Sequence, residues 1–220
     1  DFDFLTKKLD KKYQLLIPEL PGHNNDKFNS KFSLINYANS IVLLILRKNL
    51  CNLVFFSHSV GGIIPILIAK KIKQKKKIKK FFNYEGNLTE YDTGTITKKT
   101  TSYNMNEFDN KFNKLVGICE QSCQSTIRLW SNSLKKTSSK AFYDLSKDTV
   151  LLSKKNILLQ FFRIFFRRKL YMFGSNSFLN FSESIFGSER LILKNTGHFA
   201  FYDDKTKFLS VFLKLIYNCK

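Results

Sequence analysis

With 220 residues the chain can bury one sizeable core, and one domain carrying an inserted segment fits that length better than two independent domains. Aromatic residues, chiefly Phe, are abundant, and no stretch is long and charge-free enough to span a bilayer, so the composition is that of a soluble globular protein. The formal net charge of +20 creates a positive field that steers anionic partners, but the excess is Lys spread along the whole chain and no recognisable nucleic-acid motif accompanies it.

The chain opens mid-element at DFDFLTKKL, with neither an initiator Met nor the basic-then-apolar start of a signal sequence, and reads as a piece lacking its N-terminal part. YQLLIPELPGH (13–23) has a short apolar run ended by Pro18, then Pro21 and Gly22, which predicts a strand entering a loop. From Ser30 to Leu50, Ile35, Ala38, Val42, Ile45 and Leu46 recur at helical spacing. Asn52 to Ser57 reads as a strand, Gly61 to about Lys75 as a helix burying Ile64, Leu67 and Ile68, and IKKFFNY (78–84) as the next strand, ending at Glu85-Gly86-Asn87. This rhythm predicts a parallel sheet with helices packed on it. The Lys run KKIKQKKKIKK (70–80) falls where a helix emerges toward the next strand and reads as a solvated face rather than a binding patch.

The pattern then changes. Phe108, Phe112, Leu115 and Cys119 have helical spacing, further helical segments run through Trp130 and Phe142, and ILLQFFRIFF follows. Residues 89–167 are therefore expected to form a helical cap inserted into a core of residues 1–88 and 168–220. Alternation resumes with strands at 169–173 (KLYMF) and 190–194 (RLILK), and a closing helix near 205–217 turns Phe208, Val211, Phe212 and Leu215 inward.

FFSHSVGG (55–62) stands where a strand runs straight into a helix. A tight turn there needs small residues, supplied by Ser57, Gly61 and Gly62, and it holds Ser59 above the end of the sheet with its hydroxyl exposed, a setting for a nucleophile. Two further features accompany it: a Glu directly after the following strand, and NTGHF after the last strand.

Together these resemble the α/β-hydrolase fold. PELPGH (18–23) resembles the loop after that fold's fourth strand, SHSVGG (57–62) its nucleophile elbow with Ser57 in place of the usual first Gly, and NTGHFAFYDD (195–204) its catalytic histidine loop and closing helix. The resemblance implies an α/β fold with a mostly parallel sheet, flanking helices and a helical cap. It also implies a serine hydrolase acting on an ester or related acyl bond, with Ser59 as nucleophile and His198 as the base that takes its proton. The acid commonly follows the strand corresponding to KLYMF, yet Gly174-Ser175-Asn176-Ser177 offers no carboxylate. Some members place it one strand earlier, which makes Glu85 the expected acid and Asn176 a weaker neutral substitute.

The oxyanion hole implied by the resemblance uses the Val60 amide and a second amide from an early loop, commonly marked HG, and this sequence begins after that point. His58 is expected to point elsewhere as packing or pocket lining, His23 to be structural, and Asp92 and Asp203 to be surface or capping carboxylates. No metal or organic cofactor is implied. A small-molecule substrate is expected, and the phenylalanines suggest an apolar one. Cys51, Cys119, Cys123 and Cys219 lack metal-type spacing and read as buried free thiols of a reducing cytoplasm. Two other readings stay open: a truncated or degenerate hydrolase-like protein without turnover, and a cationic module for nucleic acid or membrane surfaces.

Overall fold

The computed structural model describes residues 2–26, 33–72, 77–180 and 189–217. The start of the helix expected from Ser30, the middle of the Lys run (73–76) and Cys219 lie outside the described residues. Four strands, β1 (Leu53–His58), β2 (Ile78–Tyr84), β3 (Lys169–Gly174) and β4 (Arg190–Leu193), pair in parallel in the order β1-β2-β3-β4. The register sets Ser57 beside Asn83 and Tyr84 beside Met172.

Because side chains alternate across a strand, each central strand feeds two cores. Phe81, Tyr171 and Phe173 face one, with α1 (Leu34–Arg47), α2 (Ile63–Lys71) and α7 (Ile157–Phe165). Phe82, Tyr84 and Met172 face the other, with α8 (Ala200–Asp203) and α9 (Lys205–Tyr217). A strand buried on both faces carries apolar residues at successive positions, as Phe81 and Phe82 do in β2.

The helices follow their local chemistry. Ser33 caps α1 by accepting from the Asn36 amide, and the Asp148 carboxylate accepts from the Leu34 amide. In α2 every residue from Ile63 to Ala69 is buried, as expected of a helix that is apolar all round, and Pro65 sits in its first turn, where an amide is dispensable. Between β2 and β3 the chain is helical: α3 (Gly94–Thr100), α4 (Met105–Glu120), α5 (Ser125–Leu134), α6 (Ser139–Ser153) and then α7. Asn104 and Glu107 close a capping box at the start of α4. Phe108, Phe112, Leu134 and Tyr143 build a separate core within α4, α5 and α6, whereas α7 packs with α2 against the sheet.

One expected element is not formed. Residues 14–20 carry no strand pairing, and Leu16 and Ile17 are exposed. Among the described residues β1 pairs only with β2, so the apolar run has no strand to join, and Pro18 and Pro21 remove two amides that pairing would use.

Candidate active site

Parallel strands deliver their carboxyl ends to one edge of the sheet, and each site residue predicted from the sequence sits just past such an end. Ser59 follows β1, Glu85 follows β2, Asn176 lies two residues past β3, and His198 stands in the loop after β4.

Ser59 has a φ of 52°, left-handed backbone that is uncommon for a residue with a Cβ. A short 3-10 turn, Ser59–Gly62, carries the chain from there into α2. Its tightness has an identifiable cause. A Cβ on Gly62 would stand 2.6 Å from Asn83 Oδ1 and 2.7 Å from the Gly86 Cα, so only glycine fits against the end of β2. Asn83 is fully buried beneath the turn and accepts a hydrogen bond from the Ser57 hydroxyl at 3.2 Å. Val60 sits half-buried one residue past Ser59 within the same turn.

Glu85 also has left-handed backbone, φ 44°, while its amide still donates to the Met172 carbonyl at 2.8 Å. The Asn87 amide donates to the Ser59 carbonyl at 3.2 Å, tying the two turns together. The Glu85 side chain is 3% exposed: Oε1 accepts from the Gly174 amide at 2.9 Å, and Oε2 lies 2.7 Å from His198 Nδ1. A carboxylate accepts and does not donate, so this contact puts the imidazole proton on Nδ1 and leaves Nε2 as the basic nitrogen. The His198 side chain is 40% exposed.

The loop carrying His198 is held at several points. Thr196 Oγ1 donates to the Leu193 carbonyl at 2.9 Å, the Tyr84 hydroxyl donates to the Gly197 carbonyl at 2.6 Å, and the Gly197 amide donates to Asp203 Oδ2 at 2.7 Å. Asp203 is therefore a capping carboxylate, as expected. His58 does not point away from the site as expected: its Nε2 is 2.7 Å from the His198 carbonyl and the two rings lie 4.5 Å apart. Burial, then the neighbouring charge of His198, hold His58 well below the usual histidine range, so it is a neutral donor.

The structure thus brings His198 and Glu85 together and sets His198 against the residue preceding Ser59. The Ser59 hydroxyl itself makes no hydrogen bond among the described residues. Asn176 is exposed; its side-chain oxygen accepts from Ser175 Oγ at 3.3 Å, and Nδ1 of His198 is already taken by Glu85. His23 lies near the Pro21 carbonyl, Nδ1 at 3.0 Å, and burial lowers its pKa. Asp92 accepts from the Leu88 and Thr89 amides, and burial pushes its carboxyl up to about 6. Sequence reasoning missed the parts played by His58, Asn83 and Tyr84, all of which adjoin or underlie the residues it did single out.

A cavity of about 600 Å³ opens beside His198, between the start of α5 (Gln124, Ser125, Thr126) and Asn176, His198 and Phe199. Its wall mixes hydroxyls and amides with apolar groups. Most of the phenylalanines, Phe81, Phe108 and Phe208 among them, are spent in the cores instead. No group of three or more His, Cys, Asp or Glu side chains able to hold a metal occurs among the described residues, and none of their helices is long and apolar enough to cross a membrane.

The sequence matches no protein-family model and no curated protein. Its fold is nevertheless shared with solved structures. It is similar to olei00960, a hydrolase from Oleispira antarctica, with TM-score 0.73 and 15% identity over 99% of this chain and 86% of that one. MenH from S. aureus superposes with TM-score 0.70 and 14% identity over 90% of this chain and 81% of that one. An esterase from Exiguobacterium antarcticum gives TM-score 0.64 and 15% identity over 90% and 79%. These superpositions, with the parallel four-stranded sheet and its flanking helices, show that the chain has the α/β-hydrolase fold.

Proposed function

We propose that the chain is a serine hydrolase that cleaves an ester or related acyl bond of a small molecule through an acyl-enzyme. Ser59 is the nucleophile, His198 the base and Glu85 the acid that orients it. The observation that carries this reading is the 2.7 Å contact between buried Glu85 and His198 Nδ1, made beside an elbow whose serine has left-handed backbone. The similar structures, a hydrolase and an esterase among them, support it.

In this mechanism Ser59 Oγ attacks the carbonyl carbon as its proton passes to His198 Nε2. Glu85 stabilises the imidazolium that forms and keeps its Nδ1 proton in place. The Val60 amide donates to the developing oxyanion. Collapse of the tetrahedral intermediate expels the alcohol, which takes the proton from His198, and a water then attacks the acyl-enzyme with His198 again as base. Helices α4, α5 and α6 act as a cap, with the start of α5 forming one wall of the cavity beside His198. Cys119 is buried as expected, whereas Cys51 and Cys123 are exposed; all three are free thiols, which fits an enzyme of a reducing compartment.

The test is covalent labelling with a fluorophosphonate, which phosphonylates an activated serine. One equivalent is expected to attach at Ser59 and none in Ser59→Ala. A folded protein that takes up no label would refute the assignment and favour a hydrolase-like protein without turnover.

A further inference from the structure

We propose that His58 is a positioning residue that fixes the base against the nucleophile, by donating its Nε2 proton to the backbone carbonyl of His198. The assignment rests on Ser59 and His198 acting together as described above.

His58 closes β1 and immediately precedes Ser59, while His198 lies 140 residues further on in a loop without regular structure. The Tyr84 and Asp203 contacts hold that loop at Gly197, one residue away. The His58 bond, at 2.7 Å, grips residue 198 itself. It links the strand end that carries the hydroxyl directly to the backbone that carries the imidazole. A side chain's aim follows its own backbone, and a misplacement of about 1 Å in a reacting pair costs up to a hundredfold in rate. The ring is locked as well as bonded: Phe201 meets it edge-on at 5.1 Å, Phe199 lies at 5.7 Å and Tyr84 at 5.9 Å.

The residue type matters. Lys or Arg in this place could also donate to the carbonyl, but would set a permanent positive charge beside the imidazolium that His198 becomes when it takes the proton of Ser59. A neutral imidazole donates without that penalty. Its acceptor is a carbonyl, so Nε2 must carry the hydrogen, and burial disfavours the charged form.

Two variants separate the donor from the ring. His58→Gln keeps a neutral amide donor of similar reach, and His58→Leu keeps buried apolar volume without a donor. The readouts are the rate of fluorophosphonate labelling at Ser59, the kcat and KM for p-nitrophenyl acetate, and the far-downfield NMR resonance of the His198 Nδ1 proton held by Glu85. The leucine variant is expected to label about tenfold or more slowly, to lose kcat rather than KM, and to lose the sharp downfield proton. The glutamine variant should retain the proton and label within about threefold of the natural chain. Natural rates in the leucine variant would overturn the proposal, as would a glutamine variant as slow as the leucine one, since packing of the ring would then be the cause. If even the natural chain takes no label, the hydrolase reading falls and the NMR proton alone decides His58: loss with Leu and recovery with Gln supports the tether, retention with Leu refutes it. Should His58→Leu fail to fold, His58→Asn, polar but too short to reach the carbonyl, is judged by the same criteria.

Discussion

Both oxygens of Glu85 are engaged, one by the Gly174 amide and the other by His198 Nδ1, and both partners are N–H donors. A buried carboxylate is costly unless its lone pairs are satisfied in this way. Glu85→Gln breaks that symmetry, because an amide offers one acceptor and one donor. Whichever way the Gln side chain turns, one N–H faces its amino group. If it faces His198, the imidazole must move its proton to Nε2 and, in the proposed mechanism, can no longer take the proton of Ser59. Glu85→Gln is therefore expected to lower kcat for p-nitrophenyl acetate by about a thousandfold to ten-thousandfold, as loss of the orienting acid does in serine proteases, with the circular dichroism spectrum unchanged. Asn176→Ala should stay within about threefold, since its side chain bonds only to Ser175 among the described residues. The opposite ranking would move the acid to Asn176's side of the site. The nearness of Glu85 to His198 was foreseen only through the resemblance, which offers the position after the second strand once 174–177 hold no carboxylate. The tethers on the histidine loop were not: contacts across 113 and 140 residues leave no local signature, and nothing in the residues around His58 marks it out.

The elbow between β1 and α2 shows the same division between pattern and packing. Gly61 and Gly62 look interchangeable in SHSVGG, yet a Cβ on Gly61 meets nothing within 4 Å, while one on Gly62 collides with Asn83 and the Gly86 backbone. Neither has the positive φ that would itself demand glycine. Gly61→Ala should therefore be neutral within about 0.5 kcal/mol in urea denaturation, or slightly stabilising through reduced freedom of the unfolded chain. Gly62→Ala must push α2 off the end of β2 and is expected to cost about 1–3 kcal/mol and to slow labelling of Ser59. Equal behaviour of the two variants would mean that Asn83 can move aside. Strands β1 to β4 and the closing helix stand where period and turn residues put them, because each is buried by neighbours that the same rhythm supplies. The run at 13–17 has equal local credentials but finds no partner beyond β1, so its pairing was a tertiary matter that its own residues do not encode.

For the molecule as a whole, the balance of charge and burial fixes how stability responds to pH. With a formal net charge of +20, protonating carboxylates adds to self-repulsion, and acidification should weaken the fold. His58 and His23 act in the same direction: burial lowers both, so the unfolded chain takes up protons below about pH 6.5 that the folded chain refuses. Asp92 opposes them. Burial, aided by the charge of Glu85 and outweighing the amides of Leu88 and Thr89, raises its carboxyl to about 6. A carboxyl raised on folding contributes stability that is fully present below its unfolded value, about 3.9, and is lost as pH rises through the folded one. Asp148, raised by burial too, has the same sign. Asp92→Asn keeps an oxygen for the Leu88 and Thr89 amides and removes the titration. The stability difference between Asp92→Asn and the natural chain isolates this one group, because every other titration is common to both. That difference should be flat below about pH 4, climb in favour of the variant between pH 4 and 6, and level off above, with a total rise of at most about 3 kcal/mol. Urea denaturation at half-unit intervals from pH 3.5 to 8 measures it. A difference that stays constant across that window would mean the Asp92 carboxyl titrates alike in the folded and unfolded chains.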